Sequence, residues 1–71
     1  MDRQYIDSSM ISSAGYNSSN ATLEIEFKSN GQIWQYFDVP EYVWFEFQSA
    51  ESKGQYFLRN IRKKYTESQL A

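Results

Sequence analysis

The chain has 71 residues, and it contains no cysteine and no histidine, which excludes disulfides, thiolate metal sites and triads of the Ser-His-Asp or Cys-His type. Hydrophobic residues make up 41% and charged residues 23%, and aromatic residues reach 18%, so a small globular domain whose apolar area is carried by large rings is expected rather than a disordered chain. The net charge of −2 conceals a split: residues 1–51 hold two cations against eight acids, whereas residues 52–71 hold five cations against Glu67 alone, a pointer to a basic working surface near the C-terminus.

Residues 1–7 show no periodicity and are expected to form a loosely ordered leader. They lack the apolar core of a signal sequence. No apolar run approaches the roughly 18 residues of a membrane span. A cytoplasmic location and no membrane partner are therefore expected. Met10 to Tyr16 is a plausible short strand, in which Ser12, Ala14 and Tyr16 alternate with Ile11, Ser13 and Gly15. Asn17-Ser18-Ser19-Asn20 follows as a turn.

The clearest pattern is a hairpin. Thr22 to Lys28 alternates apolar with polar, which places Leu23, Ile25 and Phe27 on one face and Glu24, Glu26 and Lys28 on the other. Asn30-Gly31 is the dipeptide preferred in two-residue hairpin turns, because both positions tolerate positive φ. Such a turn predicts Phe27 opposite Trp34 and Ile25 opposite Tyr36, so that both rings face the core. Ile33, Gln35 and Phe37 then share the outer face with the two glutamates.

Pro40 and Glu41 suit the start of a helix. Val43, Phe47 and Ala50 make its apolar stripe, with Trp44 beside it, and it should end near Ala50 or Glu51. Ser52 to Gln55 has the S-x-x-Q form of a capping box. It predicts a second helix reaching about Tyr65, with Phe57, Leu58, Ile61 and Tyr65 inward and Tyr56, Arg59 and Lys63 outward. Residues 66–71 read as a loosely ordered tail. The expected fold is α+β: a three-stranded antiparallel sheet in the order β-β-β-α-α, with two short helices packed on one face.

In sequence, Ser8-Ser9-Met10-Ile11, Ala14-Gly15-Tyr16, Leu23-Glu24-Ile25-Glu26-Phe27, Gly31, Trp34-Gln35-Tyr36, Val39-Pro40, Ala50-Glu51-Ser52-Lys53-Gly54 and the trio Phe57, Ile61 and Tyr65 resemble the ordered motifs of the KTSC domain family. That family is found at the C-terminus of some lysyl-tRNA synthetases and as free-standing small bacterial and phage-type proteins. The resemblance spans residues 8–65, which makes the whole of 1–71 one KTSC-like domain. Trp34 departs from the family's first tyrosine and lacks its hydroxyl. The resemblance carries no established activity; the synthetase association implies RNA as a partner.

Two binding surfaces compete. The basic C-terminal helix, with Arg59, Arg62, Lys63, Lys64 and the ring of Tyr56, would contact nucleic acid. The competing reading is a solvated helix end whose cations complement the dipole. The outer-face pair Ile33 and Phe37 would instead contact another protein. Trp34 and Tyr36 are either core or a base-stacking platform, according to their exposure. Glu24 and Glu26 have no third ligand beside them and read as solubility patterning, so no metal and no cofactor are expected. The chain is read as a binding module rather than an enzyme.

Overall fold

The computed structural model describes residues 2–71; Met1, the first residue of the expected leader, lies outside the described residues. Seven elements follow one another: β1 (Gln4–Tyr5), β2 (Ile11–Asn17), β3 (Thr22–Phe27), β4 (Ile33–Tyr36), α1 (Glu41–Ser49), α2 (Lys53–Asn60) and β5 (Glu67–Gln69). The α+β class and the two helices are as expected. The sheet has five strands in the order β1-β2-β3-β4-β5 instead of three.

Both additional strands come from segments expected to be loose. β1 pairs with β2, and Ile6 beyond it is buried, with its N–H donating to the Ser12 carbonyl at 3.0 Å. β5 pairs with β4, placing Glu67 opposite Tyr36 and Gln69 opposite Trp34. Backbone bonds continue past its ends, from Phe37 N–H to Thr66 at 2.9 Å and from Leu70 N–H to Ile33 at 2.7 Å. Without β5, the polar edge of β4 would have only water to bond.

The hairpin between β3 and β4 keeps the expected faces and changes the register. Ile25 lies opposite Trp34 and Leu23 opposite Tyr36, two residues away from the two-residue-turn prediction. The loop has four residues, because the Gly31 N–H donates to the Phe27 carbonyl at 3.0 Å and Phe27 pairs with Gln32. Only Gly31, at φ +69°, adopts the left-handed conformation there. A slip of two leaves every side chain on its face, whereas a slip of one would have turned the core outward.

β2 carries a bulge between Ile11 and Ser13. Strict alternation would put Ile11 on the face of Ser13; the extra residue turns it into the core, where it is fully buried. On the same face, Ala14, Leu23, Ile25 and Tyr36 meet Val43, Trp44 and Phe47 of α1 and Phe57 of α2. Ring contacts tie the layers together: Trp44 stacks on Tyr16 at 5.8 Å, and Phe57 meets Phe27 and Tyr36 edge-on at 5.4 and 5.5 Å.

The outer face is not the solvated surface its charges suggest. Glu24 is only 3% exposed. Its carboxylate pairs with Arg3, whose Nε–H also donates to Ser13 Oγ at 3.0 Å, and it accepts from Gln35 Nε2 at 3.1 Å. Ser13 passes the chain on to Glu26 at 2.8 Å. The backbone ahead of β1 runs so close over Gly15 that a Cβ there would overlap the Asp2 carbonyl oxygen. Glu24 is therefore a structural ion-pair partner, not a solubility device.

α2 ends at Asn60, one turn short of the expected Tyr65. The Phe57 carbonyl accepts from both Ile61 and Arg62, and Lys64 N–H then closes a turn on Ile61 at 3.0 Å. Lys63 sits in that turn at φ +60°. A left-handed conformation costs a non-glycine residue about 1–2 kcal/mol.

Candidate nucleic-acid interface

The early end of α2 breaks up the expected basic helix face. Arg59 remains on the helix and is exposed, and Lys64 points out from the turn. Arg62 and Lys63 are carried by the turn to a groove between the β3–β4 loop and the end of α2. Trp34, Phe27 and Phe57 supply its apolar wall, and its volume is about 410 Å³. That is the size class of a small-molecule site, about 300–1,000 Å³.

Trp34 and Tyr36, expected to share one environment, are divided by the structure. Tyr36 is core, at 2% exposure, although its ring reaches the groove. Trp34 is half-buried and forms part of the groove wall. Its indole N–H donates to Gln32 Oε1 at 3.1 Å, which fixes the ring without covering it. Glu67 of β5, paired with Tyr36, also lines the groove and sets one negative charge against the two cations.

Tyr56 does not line the groove. Its hydroxyl donates to Glu46 Oε1 at 2.6 Å, and its ring packs edge-on against Phe47 at 6.3 Å. Burial, and then this bond to Glu46, push its phenol well above the ordinary value. Burial also raises the Tyr36 phenol; Glu67 adds to the effect and Arg62 opposes it.

Both phenols hold their protons more tightly in the fold than in the unfolded chain, where they titrate near about pH 10. Above that pH the folded state binds more protons, so the contribution of these two phenols to stability is constant below about pH 10 and falls as pH rises beyond it. Denaturant midpoints measured at about pH 8 and about pH 11 should show this fall, and Tyr36→Phe should make it shallower. An equal fall in Tyr36→Phe would remove that residue from the effect.

The outer-face pair Ile33 and Phe37 is half-buried, not an open patch. The two exposed rings of α1, Tyr42 at 62% and Phe45 at 58%, were missed in the sequence. At about 100° per residue Phe45 falls opposite the Val43–Phe47 stripe and Tyr42 well to one side of it, so the stripe itself was the signal that turns both rings outward. Among the described residues, no group of three or more acidic side chains is placed to hold a metal ion. Among the same residues, no helix is long and apolar enough to cross a membrane.

The model of the KTSC domain matches residues 7–65. A solved KTSC domain protein from Yersinia pestis is 40% identical, superposes with a TM-score of 0.94, and covers 99% of this chain and 97% of its own. Lysine–tRNA ligases from Trichormus variabilis and Nostoc punctiforme are 42% and 38% identical over 65 residues. Those 65 residues are 92% of this chain but 11% of each ligase, so the chain spans about a ninth of the length of these curated relatives.

Proposed function

The chain belongs to the KTSC domain family, and on that premise we propose that it is a non-catalytic module that binds single-stranded RNA in the Trp34 groove. One observation carries the reading: a half-buried indole and two cations, Arg62 and Lys63, line the same cleft. Single strands are bound by such pairings, a ring for the base and cations for the backbone. The relatives named for joining lysine to tRNA, each containing a segment like this chain, support RNA as the polymer.

The chemistry required is modest. A base stacks on Trp34, and its phosphate sits by Arg62 and Lys63. Arg59 and Lys64, outside the groove, extend the positive potential along the strand. The overall charge of −2 argues for weak, salt-sensitive binding. A protein partner on Ile33 and Phe37 is the lesser reading, since half-burial leaves that pair little surface to offer.

The test is a titration with mixed-sequence single-stranded RNA, followed by amide chemical shifts at about 50 and about 200 mM salt. Trp34→Ala should weaken binding by about 1–3 kcal/mol. Arg62→Ala combined with Lys63→Ala should reduce the log–log salt slope by about 1.4, two single-strand contacts' worth. Unchanged affinity in Trp34→Ala would sink the groove as the site. No shifts at either salt would sink the RNA reading.

A further inference from the structure

The two sides of β5 are not alike. Bonded and non-bonded pairs alternate along an antiparallel ladder. The Phe37 N–H reaches the Thr66 carbonyl at 2.9 Å and the Leu70 N–H reaches the Ile33 carbonyl at 2.7 Å, so Thr66, Ser68 and Leu70 turn their backbone groups toward β4. Glu67 and Gln69 therefore turn their N–H and C=O groups to the open edge of the sheet, where β5 is the last strand and is exposed along its whole length. Sheet edges are commonly guarded by a lysine, a proline or a bulge. β5 has none of these: its ladder with β4 runs without a shift, and neither lysine nor proline occurs in 66–71. Leu70, 57% exposed, continues the register opposite Ile33 on the outer face.

We infer that the β5 edge is an interface with a second copy of this chain, the two strands pairing antiparallel about a two-fold axis at Ser68. Glu67 then lies opposite Gln69 of the partner subunit, and Gln69 opposite Glu67 of the partner subunit. Each such pair exchanges two backbone bonds, so the open groups of both residues are satisfied together. No like charges meet, because each carboxylate faces a neutral amide; an axis at Glu67 would set carboxylate against carboxylate. Ser68, small and neutral, meets its own copy at the axis. On the outer face Leu70 comes beside Thr66 of the partner subunit, which covers part of the exposed leucine. The arrangement is isologous and closes on itself as a dimer. Residues directly opposite one another share a face, so both helix layers and both Trp34 grooves lie on one side of the joined sheet. The other edge is a poorer template: β1 is two residues long, and its bonds to β2 leave only Tyr5 facing outward.

Sedimentation equilibrium of the whole chain tests this without any ligand. So short a ladder gives a weak pair, and concentrations up to about 1 mM are needed. The mass should rise with concentration from 8.4 kDa toward twice that value. Gln69→Lys sets a cation opposite Glu67 of the partner subunit, twice by symmetry, and should tighten the dimer about fivefold; Gln69→Glu sets like charges there and should loosen it about as much. Gln55→Lys makes the same charge change on the exposed surface of α2 and should leave self-association as it is. Gln69→Pro removes an N–H that faces the open edge and should give a monomer whose amide spectrum keeps the β4–β5 pairing. A mass of one chain at every concentration, in the parent and in Gln69→Lys alike, would overturn the interface. So would self-association that responds equally to Gln69→Lys, Gln69→Glu and Gln55→Lys.

Discussion

Arg3→Ala should destabilise the fold by about 3 kcal/mol or more, although the residue lies near the start of the chain. The reason is Glu24. Its carboxylate is 3% exposed in the middle of the sheet, and the Arg3 guanidinium is its ionic partner. Alanine would leave a buried charge with only the Gln35 amide to stabilise it. Breaking one side of a buried pair typically costs about 3–5 kcal/mol. The Arg3 side chain is 27% exposed, so some water reaches the pair and the lower figure applies. For a domain of this size the loss would lower Tm by about 12 °C or more. Thermal unfolding of Arg3→Ala, Glu24→Gln and the double variant checks this. The double variant should recover much of the loss, because the neutral amide no longer needs a cation. A change below about 0.5 kcal/mol in Arg3→Ala, the range of ordinary surface substitutions, would mean that the N-terminal strand is not docked.

Phe57→Ala should cost about 3–5 kcal/mol, the usual range for truncating a buried phenylalanine. Phe57 is buried beneath the groove and touches the sheet through two edge-on ring contacts, with Phe27 and Tyr36. Its removal opens a void between α2 and the sheet that the short helix cannot close by sliding, since Ser52 caps one end and the turn at Lys63 holds the other. Phe47→Ala provides the comparison: Phe47 is fully buried on α1 and does not line the groove. Denaturant unfolding should show similar losses for both. Phe57→Leu, which keeps most of the volume, should fold and weaken RNA binding, because the apolar wall of the groove changes. A Phe57→Leu variant with unaltered RNA affinity would show that Phe57 does not shape the site.

Period-two alternation in residues 22–28 was enough to identify β3 and its apolar face; the side of Trp34 and Tyr36, read from a two-residue turn, holds only because the four-residue loop shifts the register by two. The Val43–Phe47 stripe and the Ser52 cap located both helices. Each of these signals is local: a repeat of side chains along one element, or a hydroxyl three residues from the N–H it accepts from. The ordered motifs also sufficed to place the chain in its family.

What local pattern could not carry was pairing. β1 and β5 have every residue exposed, so no hydrophobic period marks them; they are strands because β2 and β4 each present a free edge of backbone donors and acceptors. Glu24 alternates as a surface residue should, and only the arrival of Arg3 from the far end of the chain makes its burial tolerable. The groove has the same origin. Arg62 and Lys63 would continue a helix by sequence, but α2 ends at Asn60 and the chain turns at Lys63, with positive φ, on its way to β5. That turn moves two cations from a solvated helix face to the side of Trp34. Composition, alternation and caps determined the elements and their buried faces, because those depend on residues close in sequence. Backbone edges seeking partners, and one carboxylate seeking a cation, decided where the ends of the chain dock and where the candidate site forms, because those partners are brought together only by the tertiary fold.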